Sequence, residues 1–308
     1  MPLDAFTNTF AGNPLDRVSD KRSDPEWIAE RLQATDALAV ALWNGRPLVE
    51  DAAGDGVQIA YVTAKLADQL AGGSERLLFL GLWKEVPVFA VDLEDGVDPA
   101  DGALAGLGRF EDLRTIALRL PAFEAAIAAT AKGVFEWRRR HRYCAACGQP
   151  SEARDAGWKR VCPACEAEHF PRTDPVVIML ATLGERCLLG RQRAWPKAMY
   201  SALAGFLEPG ETIEEACARE LHEEANLRVA SVRYHSTQPW PYPSSLMIGL
   251  IAEVENDHAI ADGVELDEVR WFSRQEMRAM LDGRLADAKA PSAMAIAHQL
   301  IRAWAEAG

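Results

Sequence analysis

GETIEEACARELHEEANL, residues 210–227, carries six glutamates in a helix-forming pattern. Thr212 with Glu215 three residues later has the form of a capping box, so a helix begins there. Asn226 is the predicted stop, because asparagine is second only to glycine in tolerating a left-handed cap. At ~100° per residue, Ile213, Cys217 and Leu221 make one inward stripe. Glu214 and Glu215 fall on the solvated side. Glu220 and Glu224 do not: both lie within about 20° of Ile213 on the helical wheel, four residues apart, with Glu223 flanking them. Like charges at that spacing repel, and burying them unpaired is costly. One alternative is an ordinary acidic helix whose charges all face water. The other is a hard divalent cation, Mg2+ or Mn2+, which removes both penalties and commonly also holds substrate phosphates.

Around this helix the chain divides into three expected regions. Residues 171–308 carry PVVIMLAT and RCLLGRQR, which resemble a hairpin across LGE, then the acidic helix, a strand-like LMIGLIAEVE and a C-terminal helix around Met294 to Ala305. Strands and helices alternate without regular βαβ spacing, so an α+β mixed-sheet domain is favoured over a doubly wound one. Residues 1–137 read as a second α+β domain: LAVALW, VQIAYV, RLLFLGLW and VPVFAVDL as strands, then helical pattern from Phe110 broken at Pro121. GALAGLG at 102–108 lacks the spacing of a dinucleotide fingerprint.

Composition narrows the partners. The 308 residues are 49% hydrophobic and 26% charged, which is ordinary for a globular protein. A formal charge of -13 argues against a general nucleic-acid binder. No apolar run approaches a membrane span and the first residues lack an apolar targeting core, so a cytoplasmic location is expected.

Residues 138–170 form the third region. Cys144-Ala-Ala-Cys147 and Cys162-Pro-Ala-Cys165 are two C-x-x-C pairs, and four thiolates suit one tetrahedral zinc with no open position, hence a structural ion. A redox pair is the rival, but one pair would suffice for that. Cys187 and Cys217 are spaced like core residues. Arg138, Arg139, Arg140 and Arg142 crowd a helix end, either as favourable charges at its C-terminus or as a phosphate or RNA-end contact.

QPWPYPSS, residues 238–245, places Pro239, Pro241 and Pro243 around Trp240 and Tyr242. Such a stretch cannot be a helix or a central strand. It is either a polyproline ligand for another protein or a pre-set wall of this protein's own pocket.

Gly205, Glu211, Arg219-Glu220-Leu221 and Glu223-Glu224 resemble the Nudix box, G-x5-E-x7-R-E-U-x-E-E-x-G-U, with Asn226 in place of its last glycine. The resemblance implies a Nudix-type α/β/α sandwich that hydrolyses a diphosphate, with Glu220 and Glu224 as metal ligands and Glu223 as a further ligand or base. It also implies that Arg219 pairs with Glu211. The four-cysteine ribbon, the FPR after it and TQPWPYPSSLM together resemble the NADH pyrophosphatase (NudC-type) branch, whose motif is S-Q-P-W-P-F-P-x-S; here Thr237 and Tyr242 replace Ser and Phe. By that resemblance Gln238, Pro239, Trp240, Pro241, Tyr242, Pro243, Ser244 and Ser245 line a dinucleotide site. Phe206 and Phe170 would present rings to a base, Phe170 across a homodimer interface. Glu265 would add a carboxylate, Ala204 a backbone carbonyl to the metal, and Ala297 a contact from the last helix. The implied activity is cleavage of NADH or NAD+ into a nicotinamide mononucleotide and AMP, with NAD-capped RNA as a second substrate. The competing reading is a zinc-ribbon nucleic-acid-binding protein without hydrolase activity.

Overall fold

In the computed structural model, which describes residues 8–93 and 96–307, the apolar runs become strands and the longer periodic stretches helices. The chain forms two units, residues 1–173 with 240–244, and residues 174–239 with 245–308.

The first unit opens with helix α1 (Pro25–Gln33), capped by the Asp24 carboxylate, which accepts from the Trp27 N–H. Strands β1 (Leu38–Trp43), β2 (Arg46–Asp51), β3 (Val57–Ile59) and β4 (Val62–Thr63), helix α2 (Ala64–Ala71), and strands β5 (Leu77–Trp83), β6 (Val86–Leu93) and β7 (Arg109–Phe110) follow. The sheet order is β3-β2-β1-β6-β5, with β4 on β1 and β7 on β2. VQIAYV is therefore not one strand: the chain changes partner at Ala60 and Tyr61, from β2 to β1. Helix α3 (Leu113–Ile116) is a single turn, shorter than its pattern suggested, and α4 (Ala122–Arg140) begins after Pro121. Ala39, Ala41, Phe79 and Phe89 pack on the Ala64, Ala67 and Ala71 face of α2. The ribbon closes the unit with three short antiparallel strands, β8 (Glu152–Arg154), β9 (Lys159–Val161) and β10 (Glu168–His169).

At the C-terminus of α4 the arginine run resolves into structure. Arg138 is buried, and its guanidinium donates to the carbonyls of Leu77, at 3.0 Å, Ser74, at 3.1 Å, and Glu75. Arg140 pairs with Glu136 one turn earlier at 2.7 Å, and Arg139 reaches the same carboxylate at 3.4 Å.

In the second unit, β11 (Asp174–Leu183) and β12 (Arg186–Arg191) make the expected hairpin, with Thr182 opposite Cys187. Strand β13 (Leu203–Phe206), helix α5 (Ile213–Ala225), strands β14 (Val229–Trp240), β15 (Ser245–Val254) and β16 (Glu268–Ser273), and helices α6 (Arg274–Leu281) and α7 (Ile296–Glu306) complete it. The order is β14-β15-β11-β12-β16, with β13 antiparallel on β11 and β15 parallel to it. Strand side chains alternate between faces, and both faces of β11 are buried. Ile178 and Leu180 pack with Ile296, Leu300 and Met277 of the two C-terminal helices, whereas Val177, Met179 and Ala181 pack with Ala216, Cys217 and Leu221 of α5. The result is an α/β/α sandwich. Cys187 and Cys217 are buried core thiols. Strand β14 is an edge, where a strand tolerates a residue such as Pro239 that has no N–H to donate. Among the described residues no helix is long and apolar enough to cross a membrane.

Arg138→Met would leave three carbonyls without their donor; urea unfolding should show a loss of about 3 kcal/mol or more. A variant as stable as the parent would return the arginine run to a surface role.

Candidate active site

Helix α5 is capped as its sequence demands. The Thr212 hydroxyl accepts from the Glu215 N–H, the Glu215 carboxylate accepts from the Thr212 N–H, and Asn226 sits left-handed at φ 54. With both ends fixed, the stripe of Cys217 and Leu221 carries Glu220 and Glu224 inward.

Arg219 organises the acidic side chains. Its Nε and Nη2 donate to the two oxygens of Glu211 at 2.6 and 3.0 Å. Its Nη1 donates to Glu220 Oε1 at 2.9 Å and Glu223 Oε2 at 3.0 Å, and Nη2 also reaches the Phe206 carbonyl at 2.9 Å. This pairing with Arg219, followed by the Glu208 N–H, pulls Glu211 down to about 2, so it stays a carboxylate. Glu220 approaches β13 so closely that a Cβ on Gly205 would lie 1.8 Å from its carboxyl carbon. Only glycine leaves that space.

Glu224 is the anomaly. It is 4% exposed, and its Oε2 is buried without a hydrogen-bond partner. Burial first, then the charges of Glu220, Glu265, Asp262 and Glu223, push it up to about 8. Burial also raises Glu220. A cavity of about 170 Å3 lies beside Glu224, lined also by Ala204, Gln192, Trp195 and Ser201. An orphaned carboxylate oxygen and a second carboxylate one helical turn away, beside a small and largely apolar cavity, are a fitting donor set for a hard cation.

Glu265 stands out from its acidic neighbours. Asp267 pairs with Arg191 at 3.2 Å, and Glu268 accepts from Arg191 at 3.1 Å and from the Tyr200 hydroxyl at 2.6 Å. Glu265 is exposed, and its charge raises both Glu220 and Glu224. Its loop is anchored by the Asp262 N–H, which donates to the Glu224 carbonyl at 3.2 Å, and by the Asp262 carboxylate, which accepts from the Glu265 and Leu266 N–H groups.

The aromatic and proline residues are distributed differently from a single continuous wall. Phe206, at the end of β13, and Phe170, after β10, are both largely exposed, at 61% and 63%. Gln238 is wholly buried: its amide donates to the Met294 carbonyl and accepts from the Ile296 N–H, both at 2.8 Å, so it braces the start of α7. Ala297 is buried in the core beside it. Trp240, Pro241, Tyr242, Pro243 and Ser244 group with the first unit, although Trp240 is also the last residue of β14, while Pro239 lies in β14 and Ser245 opens β15 in the second. Trp240 and Tyr242 are half-buried in ring contacts with Phe10, which is unlike a free polyproline ligand. Gln192, Trp195 and Ser201 escaped the sequence reading. They lie in an irregular connection whose position is set by the Gly190–Ser201 bridge, a pairing no local pattern announces.

The four ribbon sulfurs lie within 4.8 Å of one another, none in a disulfide. The two knuckles repeat one turn: the Gly148 N–H donates to the Cys144 carbonyl and the Glu166 N–H to that of Cys162, with Gly148 at φ 75 and Glu166 at φ 60. Backbone N–H groups, that of Cys147 foremost, bring the Cys144 thiol down to about 6, toward the thiolate a metal requires. His169 Nε2 lies 3.3 Å from the same sulfur.

Three family models match in series: an NADH pyrophosphatase-like rudimentary NUDIX domain over residues 36–137, an NADH pyrophosphatase zinc ribbon domain over 139–170, and a NUDIX domain over 171–293. NAD-capped RNA hydrolase NUDT12 of Macaca fascicularis is 35% identical across 96% of this chain and 73% of its own length. NAD-capped RNA hydrolase NudC of Mycobacterium bovis is 35% identical across 94% of both chains. Human mitochondrial NAD(P)H pyrophosphatase NUDT13 is 38% identical over 71% of this chain and 68% of its own. The chain belongs to the Nudix hydrolases, in the branch that carries a zinc ribbon between a rudimentary and a complete Nudix domain.

Gly205→Ala should keep the fold but displace the Glu220 carboxylate, lowering kcat/KM about 100-fold, as a misplacement of ~1 Å can. Cys162→Ser should strip zinc from the purified protein, read by metal analysis, and lower its melting temperature.

Proposed function

We propose that this chain is a divalent-metal-dependent NAD(H) diphosphatase, splitting NADH or NAD+ into (reduced) nicotinamide mononucleotide and AMP, and that it also removes NAD caps from RNA. The observation that carries the reading is the buried Glu224 oxygen without a partner, one turn from Glu220 on the same helix and beside a cavity. The names of its relatives supply the substrate class.

Glu220 and Glu224, with Glu265 and the Ala204 carbonyl, would hold Mg2+ or Mn2+. Bound there, such an ion would neutralise the diphosphate and lower the pKa of the attacking water. Arg219 holds Glu220 and Glu223 in fixed directions, so little reorganisation is needed when substrate arrives. Glu223, at the exposed rim, is the carboxylate best placed to accept a proton from water reaching the site. Phe206 offers a ring face to a base, as does Phe170, which we assign to the site of a partner subunit in a homodimer. Gln238 acts through its brace on α7 and Ala297, and the 239–245 segment supplies the walls for the dinucleotide. The domain limits that fit this division of labour are 1–137, 138–170 and 171–308. A cytoplasmic location accords with six free cysteines, four of them set as zinc ligands.

Incubation with NADH and Mg2+ or Mn2+, with products resolved by chromatography, should release reduced nicotinamide mononucleotide and AMP; NAD-capped RNA should yield a 5′-monophosphate end. Glu220→Gln and Glu224→Gln should each lower kcat/KM about 100- to 1000-fold with the fold intact. Cleavage of ADP-ribose alone would overturn the substrate assignment, and full activity of Glu220→Gln would overturn the site.

A further inference from the structure

β14 and β15 belong to one sheet, yet the four residues that connect them, 241–244, and Trp240 at the end of β14 group with the first unit. The Trp240 and Tyr242 rings meet edge to face, 5.3 Å between centroids at 66°. Phe10, 2% exposed, presents its edge to both at 6.3 Å. Arg114 also lies over these rings, its guanidinium carbon 3.9 Å from the Tyr242 centroid and 5.9 Å from that of Trp240. Lys132 adds a second cation at 5.5 Å from Tyr242.

Arg114 is not where a helix would ordinarily use an arginine. It belongs to the one-turn helix α3, set by Asp112, whose carboxylate accepts from the Arg114 N–H at 2.8 Å. Its side chain is exposed and makes no ion pair among the described residues; its guanidinium lies against the two rings and within reach of the Tyr242 hydroxyl. An arginine over an aromatic face is attracted by the ring quadrupole, and its planar guanidinium stacks where lysine cannot. The three prolines limit how the segment can bend, but they do not select the ring orientations; Phe10 and Arg114 do.

We propose that Arg114 is a positioning residue for the 239–245 segment: by seating on Tyr242 it holds the Trp240–Tyr242 pair in its substrate-ready arrangement. This rests on the reading of 239–245 as substrate walls. A loop fixed in advance loses less freedom on binding, so releasing it weakens ground-state and transition-state binding alike.

Steady-state kinetics on NADH with Mg2+ tests this in the full-length protein. Arg114→Gln should raise KM about three- to thirtyfold, the range of a cation–π contact, with kcat within about twofold and melting temperature unchanged. Arg114→Lys should recover only part of the loss. Tyr242→Leu should raise KM likewise, and adding Arg114→Gln to it should cost nothing more, because the ring through which Arg114 acts is gone. Wild-type KM in Arg114→Gln, or additive effects in the double variant, would overturn the proposal. A fall in kcat together with melting temperature would also overturn it, as a merely structural role. Trp240→Ala, run in parallel, separates the two layers. Normal NADH kinetics in that variant would remove the substrate wall itself, whereas a raised KM there beside a silent Arg114→Gln would remove only the clamp.

Discussion

One guanidinium holds the acidic centre together. Arg219 donates to Glu211, Glu220, Glu223 and the Phe206 carbonyl, and so joins the helix to the strand and loop that precede it. Without a cation of fixed shape at that point, these three carboxylates within one helix and its entry loop would repel one another. Arginine suits the task better than lysine because its planar fork meets Glu211 through two parallel bonds and still has donors for the others. The closeness of Glu220 to Gly205 follows from the same tie.

That arrangement stands on a sheet with two apolar faces. Because β11 is buried on both sides, its alternate residues hold α5 on one face and the C-terminal helices on the other. Helix α5 cannot rotate without exposing Cys217 and Leu221. Glu224 is consequently kept below the surface even though its oxygen has no protein partner there. Such a group is costly to keep buried, and among the described residues of this unit no other buried side-chain oxygen or nitrogen lacks a partner, which marks the site chemically.

The first unit is shaped by polar ties as much as by its core. Near the end of α4, Arg138 donates to the carbonyls of Ser74, Glu75 and Leu77, and Arg160 joins the ribbon to Glu75 at 2.9 Å. The two cysteine knuckles repeat one hydrogen-bonded turn, which aims all four sulfurs at a common point. The same unit takes in residues 240–244, far away in sequence, through aromatic and cation–π contacts.

The local rules of the chain determined the helix over 213–225, its cap and its left-handed stop, the inward placement of Glu220 and Glu224, the hairpin at 183–186 and the zinc knuckles. Each depends on residues a few positions apart, where backbone geometry alone sets direction. Tertiary structure decided what depends on distant segments meeting. The sequence could not distinguish Glu265 from Asp267 and Glu268; Arg191 and Tyr200 engage the latter two. It could not show that Gln238 is a brace for α7, that VQIAYV changes partner midway, or that Gln192 and Trp195 reach the cavity. Nor could it show that Trp240 and Tyr242 pack with Phe10 and Arg114, contacts that span more than a hundred residues of chain and leave no periodic trace.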